Sequence, residues 1–198
     1  MAALVSHDAD MTIQDGMTIQ DGTTIQDSMT IQDRPERADF VAALAKQRSF
    51  LRHTVSGLSD EDAARRTTTS ELCLGGLIKH VAGVEERWVA FIEHGPDAIG
   101  SADEAAMQAH AASFRMDPGE TLAALLDRYA EVAKRTEDVV VTLPSLEVTH
   151  PLPTAPWFEA GGRWSARQVL LHILAETAQH AGHADIIRES FDGAKTMG

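Results

Sequence analysis

Four stretches of this chain carry apolar side chains three and four residues apart, and each is bounded by residues that start or stop helices. That periodicity commits the chain to a helical fold. The first stretch runs from about Arg34 to Val55, with Phe40, Leu44, Leu51, Val55 and then Leu58 on one stripe. Asp33 and Glu36 form a capping-box pattern at its start. A short turn of helix, capped by Ser59, is expected at Asp60–Arg66. The second long helix is expected from about Leu74 to Glu93, stopped by Gly95-Pro96. The third is expected to start at Asp117-Pro118-Gly119-Glu120, read as cap, first-turn proline and third-position acid. It carries Leu122, Leu125, Leu126, Tyr129, Val132 and Val139. The fourth starts at Ser165 with Gln168 completing a capping box, and ends near Asp192-Gly193. Aromatics make up only 5% of the chain against 43% hydrophobic residues overall, so the core must be built of Leu, Val, Ile and Ala. That balance favours helices over a β-sandwich.

Two long connections join the helices. Residues 96–116 are Ala-rich and acidic, and residues 143–163 hold four of the seven prolines together with Trp157 and Phe158. Both are read as loops, serving either as surface crossovers or as functional segments. Ahead of the helices, residues 11–34 repeat a hexapeptide, MTIQDG, MTIQDG, TTIQDS, MTIQDR. So few copies cannot stack a stable β-helix. Residues 1–33 are therefore expected to be a disordered low-complexity tail and residues 34–198 the folded domain. Met17 and Met29 are read as alternative translation starts.

Acidic residues number 30 against 17 basic, for a net charge of −13; without the six Asp of the tail the charge is −7. A surface of that sign repels phosphate backbones, which argues against nucleic acid as a partner. A single cysteine excludes an internal disulfide. No apolar run approaches the roughly 20 residues of a membrane span. Met1 to Met11 lack the basic start and apolar stretch of a signal peptide. The expected setting is the cytoplasm.

The chemistry concentrates on the fourth helix. Val169, Ile173, Glu176, His180, His183 and Ile187 are spaced four and three apart, which reads as a buried seam with an apolar start and end and a Glu-His-His centre. Such groups must be paired, hydrogen-bonded or metal-bound, because bare burial costs several kcal/mol. Glu176 and His180, four apart, project onto one face at a spacing that can grip one ion. On the second helix, His80 flanks the stripe of Leu74, Leu77, Val81, Val84, Trp88 and Phe91, a reasonable third ligand if the two helices are neighbours. Two His and one carboxylate would leave an open coordination position. Each residue also has a structural reading: His80 as a hydrogen-bonded histidine at the core edge, and Glu176–His180 as a simple i,i+4 pair. His183 reads either as a further ligand or as a donor behind the first ligands. His172 is one position off the seam and is read as a flank residue. Cys73 reads as a reactive thiol near a helix start or as a small buried hydrophobe. His7, His53, His94, His110 and His150 show no constellation. The chain has no H-E-x-x-H, no pair of E-x-x-H motifs, no G-x-G-x-x-G, no phosphate loop and no G-x-S-x-G.

The segment Leu77-Ile78-Lys79-His80-Val81-Ala82-Gly83-Val84-Glu85-Glu86-Arg87-Trp88 resembles the first metal-histidine helix of the DinB-like superfamily. The run from Glu176 through His180, His183, Asp185, Arg188 and Glu189 to Asp192-Gly193 is similar to the actinobacterial, mycothiol transferase-like branch. The likeness spans about Arg34 to Gly193. It implies an all-α, four-helix bundle of up-down-down-up order holding a divalent metal, most often on three histidines. Glu176 stands where the first histidine of the last-helix pair would be, as in the similar mycothiol-dependent maleylpyruvate isomerase branch. Carried over position by position, the ligands are His80, Glu176 and His180. His183 falls where many relatives have Gln.

The resemblance further implies Zn²⁺, with Ni²⁺ or Fe²⁺ as alternatives, and mycothiol as co-substrate. The function it implies is a thiol S-transferase acting on an electrophilic small molecule in detoxification. The chemistry would lie at the metal, with no catalytic side chain assigned. Trp157 and Trp164, which have no helical stripe to join, are expected to help bind the co-substrate. Two other functions remain open: a hydrolase or isomerase using metal-bound water, and a non-enzymatic metal-binding stress protein. The expected partners are the thiol and the electrophile, with neither nucleic acid nor membrane, and a homodimer is left open.

Overall fold

The fold is mostly helical, with six helices and one two-stranded sheet among the residues described by the computed structural model, 34–100 and 102–196. The repeat tail, the Asp33 cap and the alternative starts lie outside the described residues. Helix α1 spans Arg34–His53, and the short α2, Asp60–Ala64, starts at the expected Ser59, whose side chain accepts from the Asp62 amide. Helix α3 spans Leu74–His94 and stops at Gly95, where φ is +83°. Helix α4 spans Glu104–Ala112, α5 Leu122–Thr142 and α6 Ala166–Asp192. At the start of α6, Ser165 and Gln168 make the full capping box, and its end is a left-handed Gly193. No helix among the described residues is long and apolar enough to cross a membrane.

Three expectations need correction. Residues 96–116 are not a plain loop: they hold a 3-10 turn at Pro96–Ala98 and helix α4, capped by Asp103 accepting from the Ala106 amide at 2.9 Å. Helix α4 buries none of its residues, so it lacks the apolar stripe by which helices are read. The second correction concerns the start of α5, which is four residues later than expected. Thr121 is the cap, while Asp117-Pro118-Gly119-Glu120 closes a β-turn, with the Glu120 amide on the Asp117 carbonyl at 3.0 Å and Gly119 at φ +91°. Proline then glycine at the turn centre is the type II pattern, which competes with helix initiation. The third concerns strands. Residues 143–163 contain β1, Thr149–Pro151, which pairs antiparallel with β2, Arg163–Ser165, so the fold is not purely α. The pairing closes the loop that carries Trp157 and Phe158.

The long helices pack in a ring: α1 lies against α6 and α5, and α3 lies against α5 and α6. The core is divided along the helix axes. One apolar cluster takes Phe40, Leu44, Trp88, Phe91, Val139, Val169 and Ile173. The other takes Leu51, Val55, Leu77, Val81, Leu125, Tyr129, Ala184 and Ile187. Between them every long helix contributes polar residues. Glu85 of α3 is fully buried and bound by Arg48 of α1 through both carboxylate oxygens, and the Thr136 hydroxyl of α5 donates to it at 2.5 Å. Helix α6 passes through the same level with Glu176, Thr177 and His180.

Helix α3 is buried around most of its circumference, and two glycines at its start let the chain after α4 lie directly on its backbone. A Cβ on Gly76 would fall 1.9 Å from the Phe114 carbonyl oxygen, and one on Gly75 would fall 2.2 Å from the Met116 sulfur. That close approach delivers Ser113 and Phe114 to the first turns of α3, against His80.

Candidate metal centre and adjoining cleft

His80, Glu176 and His180 each offer one ligand atom, and the three atoms lie within 4.8 Å of one another. The juxtaposition follows from the packing of α3 on α6. Its detail departs from the expected seam. The most buried line of α6 is Val169, Ile173, Thr177, His180, Ala181, Ala184 and Ile187. Glu176 and His183 sit at its margin, half-buried, because the stripe drifts over a helix with 3.6 residues per turn. His80, expected on the flank of its stripe, is instead 2% exposed.

His80 is held by residues that the sequence reading passed over. Its Nδ1 lies 2.8 Å from the Ser113 hydroxyl, and that hydroxyl also lies 2.6 Å from the His110 carbonyl. A carbonyl only accepts, so the single hydroxyl proton goes to His110, and Ser113 must accept from His80 Nδ1–H. The tautomer is thereby fixed, and Nε2 keeps its lone pair. Phe114 stacks on the imidazole at 3.8 Å between ring centres, and His180 meets it edge-on at 4.9 Å. Burial above all, then the neighbouring His180 and His110, pulls the His80 pKa down to about 3. Near neutral pH the ring is a neutral ligand with no proton to displace.

His180 Nε2 stands 3.6 Å from a Glu176 carboxylate oxygen. The His180 ring holds the Glu176 carboxyl below its usual range, against the burial that would raise it. His183 Nδ1 lies 3.4 Å from His180 Nδ1. With an ion in place, Nε2 would give up its proton to become a ligand, and His180 would keep Nδ1–H with His183 accepting it, the arrangement in which an outer partner orients a metal ligand. The donor set of two imidazole lone pairs and one carboxylate fits a divalent ion of the Zn²⁺ type. Ser113→Ala should therefore lower Zn²⁺ affinity about 10–100-fold, the usual loss for an outer partner, with the helical circular dichroism unchanged. Competition with a chromophoric chelator measures it, and an unaltered affinity would remove Ser113 from the site.

A cleft of about 380 Å³ opens beside these residues, lined by Val84, Arg87, Trp88, Met107, His110, Trp157, Phe158, His172 and Glu176 among others. Glu176 belongs both to its wall and to the ligand group. His110, which showed no constellation in the sequence, lies 5.2 Å from His80 between ring centres and lines the cleft. Trp157 is 62% exposed on the cleft wall. Trp164 stands behind that wall, stacked on Trp88 at 4.9 Å. His172 rests against both Trp88 and Trp164, outside the ligand group though within electrostatic reach of Glu176 one turn on, and burial lowers its pKa. Cys73 is buried, with its thiol 3.7 Å from the Phe114 carbonyl, and does not reach the cleft lining. A wider groove of about 800 Å³, near Arg52 and Leu126, shares no residue with the ligands or the cleft. The one sequence signal for the Ser113 contact was Gly75-Gly76, a pair of glycines inside a helix that marks close backbone approach.

The family model of the mycothiol-S-transferases matches residues 39–193, which takes in every residue of the ligand group and the cleft. No curated protein matches the chain.

Proposed function

The chain belongs to the mycothiol-S-transferase family, and from that premise we propose that it joins a low-molecular-weight thiol, mycothiol, to an electrophilic small molecule in the cleft beside His80, Glu176 and His180. The observation that carries this reading is the placement of Glu176, at once a donor of the ligand group and part of an aromatic cleft wall. We read the ring of long helices as a four-helix bundle of up-down-down-up order, with the site between α3 and α6.

His80, Glu176 and His180 would hold the ion, Zn²⁺ in the first place and Ni²⁺ or Fe²⁺ as alternatives that suit the same donors. Bound there, a divalent ion supplies positive charge that favours a thiolate over a thiol near neutral pH. The protein then needs no nucleophile of its own. Trp88, Trp157 and Phe158 cover an apolar electrophile and keep water from it, and Trp164 backs Trp88. The thiol gives its proton to solvent, a sulfur–carbon bond forms, and the electron pair leaves with the electrophile's leaving group, goes into its π system, or, in an epoxide, goes onto the oxygen of the broken C–O bond, which takes up a proton. Clearing reactive electrophiles from the cytoplasm is the role this chemistry serves.

The test is turnover of 1-chloro-2,4-dinitrobenzene and a panel of epoxides by Zn²⁺-loaded protein with and without mycothiol. The reading expects product only with the thiol, and none after chelation. Product that forms equally without thiol would assign the chemistry to water instead.

A further inference from the structure

The cleft wall carries one guanidinium. Arg87 is the only Arg or Lys among the described residues that line the cleft. Cations around it have carboxylate partners: Lys79 with Asp117 and Glu120, Arg128 with Glu86, Arg135 with Glu93. Arg87 makes no hydrogen bond or ion pair among the described residues, and its neighbour Glu86 is engaged by Arg128 at 2.6 Å. The cleft partly desolvates the guanidinium, which lowers its pKa, while the residue as a whole stays exposed. Arg87 is seven positions on from His80 in the same helix. That is two turns, so both lie on nearly one face, about 10 Å apart along the axis. Val84 lies between them, and Trp88 lines the same cleft next to Arg87.

We infer that Arg87 is the anchor for a carboxylate on the electrophilic substrate, so that the cleft takes extended molecules with an acidic end at Arg87, an aromatic or alkenyl body along Val84 and Trp88, and the reactive carbon toward Glu176. This deepens the transferase reading and rests on it for the identity of the reactive end. A planar guanidinium with free donors matches a carboxylate through two parallel hydrogen bonds. The neighbouring Trp88 and Phe158 supply apolar surface that a wholly polar solute would not use. Glu176, the one carboxylate in the cleft lining, is occupied by His180, so it does not compete for Arg87.

The probe pair is 2-naphthoate and its uncharged isostere 2-naphthamide, titrated by tryptophan fluorescence into Zn²⁺-loaded protein without any thiol. Wild-type protein should bind the naphthoate at least tenfold more tightly than the amide. Arg87→Met should bring the two affinities together with zinc content unchanged, and Arg87→Lys should keep part of the preference. A preference that survives Arg87→Met would place the carboxylate on the metal or another cation and overturn the assignment. Equal binding of the two probes by wild-type protein, or no binding of either, would overturn it as well. Because no thiol is present, this result and the thiol dependence of turnover fail or succeed separately.

Discussion

Replacing Glu85 by Ala lowers the stability of the folded chain by about 3–5 kcal/mol, the usual cost of stranding one partner of a buried ion pair. Glu85 has no solvent exposure, and Arg48 beside it is almost as buried. Both Glu85 oxygens accept from Arg48, and Thr136 adds a hydroxyl donor. Without the carboxylate, Arg48 keeps only Glu137, 3.2 Å away and itself partly in solvent. Burial raises the pKa of nearby Tyr129, and the Glu85 charge raises it further. The double replacement Arg48→Met with Glu85→Leu removes the charges together and should recover most of the loss. Urea unfolding midpoints of the wild type and the two variants decide the matter. A single-variant loss under about 1 kcal/mol would mean that the pair is solvated like a surface bridge. The consequence reaches the site, because this polar layer sets how α3 lies against α1 and α5, and α3 carries His80.

His180→Ala should lower Zn²⁺ affinity by about a hundredfold or more, beyond the 10–100-fold typical of outer partners. His180 is the residue through which the ligand group is connected: it faces Glu176 at 3.6 Å, His183 at 3.4 Å and the His80 ring at 4.9 Å. Removing it takes away a ligand and leaves Glu176 without the imidazole that holds its carboxyl low. A graded series is therefore expected. His180→Ala and Glu176→Ala lose most, His183→Ala falls in the range of an outer partner, and His172→Ala leaves affinity unchanged because that ring packs on Trp88 and Trp164. Chelator competition across the four variants reads it. Zinc lost in His172→Ala and kept in Glu176→Ala would contradict the ligand assignment.

Local rules carried much of the fold. The Ser165–Gln168 capping box, the Gly193 stop and the Gly95-Pro96 break all act within one turn of chain, so sequence alone announces them. The stripe of α3 is buried residue for residue. What escaped depends on tertiary partners. Arg48 falls on the α1 stripe between Leu44 and Leu51, and Glu85 adjoins Val84 on α3, yet their pairing becomes visible only when the helices meet. Helix α4 has no apolar stripe to declare it. Asp117-Pro118-Gly119-Glu120 obeys a helix-start pattern and a turn pattern equally, and the tight turn at Gly119 wins. At the site, i,i+4 spacing brought Glu176 and His180 together on paper, and His80 needed only the guess that α3 and α6 are neighbours. Ser113 and His110 come from a connecting segment, with only the Gly75-Gly76 pair to hint at its close approach, and Arg87 lies on a helix face whose role no spacing declares.

The central claim, that the ligand group presents a metal ion to a thiol, is tested most directly by loading the protein with Co²⁺ and titrating mycothiol. The account predicts a sulfur-to-cobalt charge-transfer band whose pH midpoint lies well below the ordinary thiol pKa of about 8.5. The same titration on His180→Ala should give no band. A cobalt spectrum that mycothiol leaves unchanged in metal-replete protein would contradict the claim and point to water as the nucleophile.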